Sequence, residues 1–316
     1  TGQKTISSLE FSKADGGRIL VSISEDSTIC VSDWKSETVI ARVRDSSAAH
    51  TFHLCSSSLS QNFSFLSCGD KFITMWNLNG RNLTCNRVST AQVGHGLSGL
   101  KFLCCAEVKG VFIVGCENGM VYTCSNDGKK LLVCFSASPT EPIATKAKKN
   151  NRNKTSPKAP KNHVLSMHVD DATNTLLIGC KDGTVSEFDT SVMNHGVAPV
   201  LKRSLKVQEI LADTMAPQVH SLYMQTNKIV IATRGADLVE IEDWDSMKTR
   251  VITRGHCYNE LWGLATHPHL PEYCTTGDDM TLRTFSVTTR KMLSSVTLGA
   301  HARACDYNHD GSLIAV

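Results

Sequence analysis

One pattern recurs along the chain: a small or acidic turn residue, a short β-prone run, and an aromatic residue six positions on. It reads as Asp70 to Trp76 in GDKFITMWN, Asp182 to Phe188 in KDGTVSEFD, and Asp279 to Phe285 in DDMTLRTFS. Weaker copies are Asp26 to Ser32 followed by Asp33 and Trp34, Asn118 to Cys124, and the stretch 235–242. A fixed repeat constrains a chain more than any single motif, because each copy must bury itself against its neighbours.

Upstream of each copy lies an apolar segment bounded by turn residues: Ile19–Ile23, Phe63–Ser67, Val111–Gly115, Thr175–Gly179, Lys228–Thr233 and Glu272–Thr276. A third candidate strand precedes it at Ile6–Phe11, Leu97–Leu103, Val164–Val169, Val219–Met224 and Leu261–Thr266. Asp15-Gly16-Gly17, Asn79-Gly80, Asp127-Gly128, Asp182-Gly183 and Asp310-Gly311 supply residues that tolerate the positive φ of tight hairpins. Each unit therefore holds three or four short strands. The spacing of equivalent turns, roughly 43–64 residues, fits a four-stranded propeller blade with variable connections. Helical periodicity is weak, except over Leu201–Met215, where a helical turn or two is expected. The fold class is all-β, built from WD40-like β-propeller blades.

Thirteen cysteines, an odd number that includes the adjacent pair Cys104-Cys105, sit mostly in apolar runs and read as reduced, buried thiols of a cytosolic protein. No CxxC pair or Cys/His quartet supports structural zinc. His50 and His53, and His267 and His269, lack a third ligand at sensible spacing. No apolar run approaches the ~20 residues of a membrane span. The formal net charge of +3 gives no global field for nucleic acid. GHGLSG at 94–99 matches a dinucleotide-binding pattern, but it opens a strand run, 100–105, rather than a helix. Neither a nucleophile elbow, a Walker loop nor HExxH occurs. The expectation is no enzyme, no catalytic residue, no cofactor, no metal and no small-molecule substrate.

Three stretches carry a closer resemblance: GHCYNELWGLATHP at Gly255–Pro268 with ARACDYNHDGSLIAV at Ala302–Val316; SSLEFSKADGGRIL through CGDKFITMWNLNG near the start; and HVLSMHVDDATNTLLIGCKDGTV with KIVIATRGADLVEI between them. In these the chain resembles the echinoderm microtubule-associated protein-like (EML) family. That resemblance implies parts of two tandem propellers, with about five blades over 1–254 and the opening of a second ring over 255–316. The alternative is the last blades of a single propeller. It also implies tubulin or microtubules, with other cytoskeletal or axonemal proteins, as partners. The implied location is the cytoplasmic microtubule cytoskeleton, with the ciliary axoneme as the alternative. A WD40 adaptor in a complex unrelated to microtubules is the rival reading.

The expected blade-structural residues are Asp26, Asp70, Trp76, Asp182, Phe188, His256, Trp262, Asp279 and Phe285. In the last full unit His256, Thr276 and Asp279 are expected to share a hydrogen-bond network, with Phe285 replacing the usual Trp and offering no donor. Leu261 and Trp262 are expected in the core between blades. The sharpest local feature is KAKKNNRNKTSPKAPK, a basic insert within 138–161 that reads as a disordered loop. Its Lys146, Lys148, Lys149, Arg152, Lys154, Lys158 and Lys161 are the candidate contacts to acidic tubulin tails. The insert has no aromatic residue on which a base could stack, which argues against nucleic acid.

Overall fold

Alternation of side chains about a strand explains the architecture. Phe65 and Leu66 are adjacent, yet they belong to different buried clusters, and so do Ile113 and Val114. Successive residues of a strand point to opposite faces, so a strand buried on both faces must lie in a sheet sandwiched between two others. The computed structural model describes residues 3–46, 50–59, 63–90, 99–139, 162–257 and 259–316. It divides into two compact units, Thr1–Val207 and Gln208–Val316. This division falls one sheet earlier than the ring boundary read from the sequence at 254/255.

The first unit contains four four-stranded antiparallel sheets, each meandering in chain order. They are Ile6–Phe11 (β1), Ile19–Ser24 (β2), Thr28–Asp33 (β3) and Thr38–Arg44 (β4); Thr51–Ser56 (β5), Ser64–Gly69 (β6), Phe72–Asn79 (β7) and Asn82–Arg87 (β8); Phe102–Val108 (β9), Val111–Cys116 (β10), Met120–Cys124 (β11) and Leu131–Ser136 (β12); and Val164–Asp170 (β13), Thr175–Cys180 (β14), Thr184–Asp189 (β15) and Val200–Lys206 (β16). The first strands are neighbours: β5 lies against β1 and β9, and β9 lies against β13. Layers of apolar side chains fill the spaces between sheets. Val21, Ile29, Phe65 and Trp76 share one layer, Leu66, Met75, Phe102 and Tyr122 the next, and Ile113, Phe135, Leu176 and Phe188 the third.

One helical turn, Val207–Ile210 (α1), follows β16. The helical turn expected within Leu201–Met215 is thus present at Val207–Ile210, while the residues before it form a fourth strand, in which Arg203 Nε donates to Glu187 Oε2 across the ladder at 2.6 Å. The strand read at Leu97–Leu103 instead begins at Phe102, and β5 had no counterpart among the third-strand candidates.

The second unit contains two more such sheets and a two-stranded hairpin. The sheets are Val219–Gln225 (β17), Lys228–Thr233 (β18), Asp237–Asp243 (β19) and Lys248–Arg254 (β20); and Leu261–Thr266 (β21), Glu272–Gly277 (β22), Thr281–Ser286 (β23) and Met292–Thr297 (β24). The hairpin is Asp306–Tyr307 (β25) with Ile314–Ala315 (β26), and β25 lies against β21. Among the described residues no helix is long and apolar enough to cross a membrane.

Candidate functional site

The turns between second and third strands of the six full sheets share a positive φ at the same position. The residue after the repeat's turn position has positive φ in each: Ser27 at 68°, Lys71 at 67°, Gly119 at 84°, Gly183 at 89°, Ala236 at 59° and Met280 at 56°. In five of them its N–H donates to the carbonyl three residues back. Asp26, Asn118, Asp182 and Asp279 then accept from the backbone N–H two residues on, an Asx turn that pins the hairpin. These hydrogen bonds favour the ionised carboxylate. The Asp26 carboxyl is held below its ordinary value chiefly by the Ser24 hydroxyl.

The most complete network surrounds Asp279. Its Oδ1 is 2.8 Å from His256 Nδ1 and accepts from the Thr281 hydroxyl at 2.8 Å, while its Oδ2 accepts from the Cys257 N–H and from Arg283 Nη2, each at 3.1 Å. With Nδ1 donating to the carboxylate, a neutral ring leaves Nε2 to accept from the Thr275 hydroxyl, 2.8 Å away. Burial would raise the Asp279 carboxyl, but the bonds from His256, Thr281 and Cys257 prevail and hold it below the ordinary range.

Two expectations change here. Thr275, not Thr276, meets His256, and the Thr276 hydroxyl is buried without a partner. Phe285 stacks on Tyr273 with centroids 5.1 Å apart, and the donor is Arg283, two residues earlier on the same face of β23. Arg283 is 4% exposed and also donates to Thr281 Oγ1 and the Gly255 carbonyl. The signal was the alternation of Thr281, Arg283 and Phe285, which places the three on one side of the strand.

The other turn residues differ in their bonding. Trp76 is buried, stacks on Phe65 and donates its indole N–H to Ser67 Oγ at 2.9 Å, whereas Asp70 Oδ1 is buried without a partner. Phe188 packs edge-on to Phe135, and Asp182 takes its N–H bond from Thr184. In the first unit a polar seam crosses three inner strands: Glu10 accepts from the Ser56 N–H and hydroxyl, while Lys13 Nζ lies 3.7 Å from Cys55 Sγ and 4.0 Å from Glu107 Oε2. Burial alone would lower the Lys13 ammonium, but Cys55, Glu107 and Glu10 hold it above its ordinary value.

Trp262 departs furthest from expectation. The sequence places it in the core, yet it is 45% exposed, and Leu261 is 56% exposed. Its indole N–H donates to Asp278 Oδ1 at 3.1 Å, and the Arg303 guanidinium stacks over its ring 4.2 Å from the centroid. Arg303 Nη2 is itself 3.7 Å from Asp278 Oδ1.

His53 Nδ1 is 3.4 Å from Cys105 Sγ, and the His267 and His269 rings sit 6.4 Å apart. Among the described residues no group of three or more His, Cys, Asp or Glu is arranged to hold a metal ion. The seven basic positions from Lys146 to Lys161, and residues 94–98 of GHGLSG, lie outside the described residues.

Comparison with known proteins places these blades. Echinoderm microtubule-associated protein-like 2 of Rattus norvegicus is 24% identical over 99% of this chain, and that of Homo sapiens is 24% identical over 97%. The chain resembles the EML family. It spans 42% and 41% of the length of these two relatives. No family model matches. Among solved structures, the crystal structure of Chaetomium thermophilum Raptor superposes with a TM-score of 0.54 at 17% identity, covering 98% of this chain and 26% of Raptor. That likeness concerns the fold alone. Together with the repeated four-stranded antiparallel meanders, it identifies WD40-like propeller blades.

Proposed function

We propose that this EML-like chain is a non-catalytic, microtubule-associated scaffold whose stacked blades display loops to tubulin. The observation that carries the reading is similarity, over nearly the whole of this chain, to proteins named for microtubule association. The basic residues of Lys146–Lys161 are proposed to engage acidic tubulin tails. Each exposed ion pair contributes only ~0–1 kcal/mol, so several act together and salt weakens them. The proposed organisation is five blades of one ring over 1–254 and the opening of a second over 255–316. The place of action is the cytoplasmic microtubule cytoskeleton.

Co-sedimentation with microtubules at two salt concentrations tests the reading. The chain is expected to pellet at low salt and less at high salt, and deletion of Lys146–Lys161 is expected to reduce tubulin affinity. Failure to pellet at low salt would favour an adaptor in another complex, and an unchanged binding curve for the deletion would remove the insert from the account.

A further inference from the structure

A groove of about 490 Å³ runs along β20 in the second unit. Six consecutive residues of that strand, from Thr249 to Arg254, line it, and Tyr273, Phe285, Arg290 and Lys291 stand opposite. β20 is the last strand of its sheet: one edge pairs with β19, and among the described residues the other edge makes no backbone hydrogen bond. Such an edge is a template for another strand. It carries no proline; its register against β19 shifts so that Ile252 is an extra residue, and it exposes the β-branched pair Val251 and Ile252, at 37% and 43%.

The walls specify what a new strand should carry. Tyr273 and Phe285 stack nearly parallel, with 14° between their planes, and form a flat apolar wall. Four cations line the groove and no carboxylate does. Arg250 is already paired with Glu240 and Glu242, and Arg254 with Asp213 and Asp237. Arg290 and Lys291 are exposed and make no ion pair among the described residues, so the groove keeps uncompensated positive charge at one end.

We propose that this groove takes up an extended segment of a partner protein, which adds a strand to β20, lays apolar side chains against Tyr273 and Phe285, and brings carboxylates to Arg290 and Lys291. At ~3.3 Å per residue, the six lining residues of β20 accommodate a segment about six residues long. Main-chain bonds supply affinity in this mode, and alternate side chains supply selectivity. The inference goes beyond the microtubule reading, since it needs only an acidic, β-prone segment and does not require that the partner be tubulin.

The test is fluorescence anisotropy on the full chain with labelled peptides of about eight residues. The first alternates Val and Glu, the second is the same peptide N-methylated at alternate amides, and the third alternates Val and Lys. The Val-Glu peptide is expected to bind, the other two to bind at least about tenfold more weakly, and the exposed double substitution Arg290→Glu/Lys291→Glu to weaken the first by about tenfold with an unchanged far-UV spectrum. Equal binding of the N-methylated peptide would overturn strand addition, and equal binding to the double variant would overturn the charge pairing. Absence of binding to the unsubstituted chain would overturn the proposal. Deleting Lys146–Lys161 should leave this titration unchanged, so its outcome is separable from the microtubule result.

Discussion

Asp279 and Arg283 form a buried ion pair whose Nη2 to Oδ2 distance is 3.1 Å. Such a pair is weak evidence for stability while intact, but losing one partner strands the other charge. Asp279→Asn is therefore expected to destabilise the second unit by about 3–5 kcal/mol in denaturant titration, because Arg283 keeps its charge and loses its carboxylate. The pH dependence follows from the depressed Asp279 carboxyl. Its contribution is fully present above the ordinary carboxylate value of 3.8 and is lost as pH falls through the lower folded value. The stability gap between the parent chain and Asp279→Asn should thus be constant above about pH 5 and narrow below about pH 4. A gap that is constant down to pH 2 would contradict the network. Alternation along β23 puts Arg283 on the face of Thr281 and Phe285, but the aromatic six positions after the turn draws the reading to Phe285 and past the side chain that supplies the donors.

At the scale of the element, the six left-handed turn residues make a paired test. Glycine adopts this conformation freely, while an L side chain costs roughly 1–2 kcal/mol. Gly183→Ala should lower stability by about 1 kcal/mol, and Met280→Gly, at a turn of the same geometry, should raise it by a few tenths to about 1 kcal/mol. Opposite signs in thermal melts are the expected result, and equal signs would mean that the two turns are not equivalent. Most strands were legible for the reason that makes them strands: β1, β18 and β21 coincide with the expected segments, because short apolar runs between turn residues leave little choice. The misreadings have physical causes. β5 alternates Thr51, His53 and Cys55 with Phe52, Leu54 and Ser56, with no continuous apolar run, yet it is an inner strand, and Ser56 bonds to Glu10 and Phe11 of β1. β16 looks helical by its spacing of Leu residues, but its Lys202 and Arg203 lie opposite Glu187. Trp262 looks like core by composition alone, but its indole N–H is spent on Asp278 and its ring lies under Arg303.

Over the whole molecule, the cysteines report how the sheets are stacked. All thirteen are free. Adjacent Cys104 and Cys105 enter different apolar layers, as alternation requires. Burial pushes the Cys55, Cys124 and Cys180 thiols up to about 12, so they hold little thiolate near neutrality. With iodoacetamide at mildly alkaline pH, mass spectrometry should find exposed Cys85 and Cys134 alkylated first, and the thiols between sheets only after unfolding. Early alkylation of Cys55 or Cys104 would mean that the layers part under native conditions.

Each of the six full sheets completes its ladder within one continuous stretch of chain, and the apolar layers between sheets are made by side chains. β12 and β13 belong to different sheets, so among the described residues no rung of either ladder joins the stretch that ends at β12 to the stretch that begins at β13. Because Ile113 and Phe135 on one side of that division share a buried layer with Leu176 and Phe188 on the other, two pieces divided there are expected to reassociate when mixed, which co-purification of the separately made fragments would check.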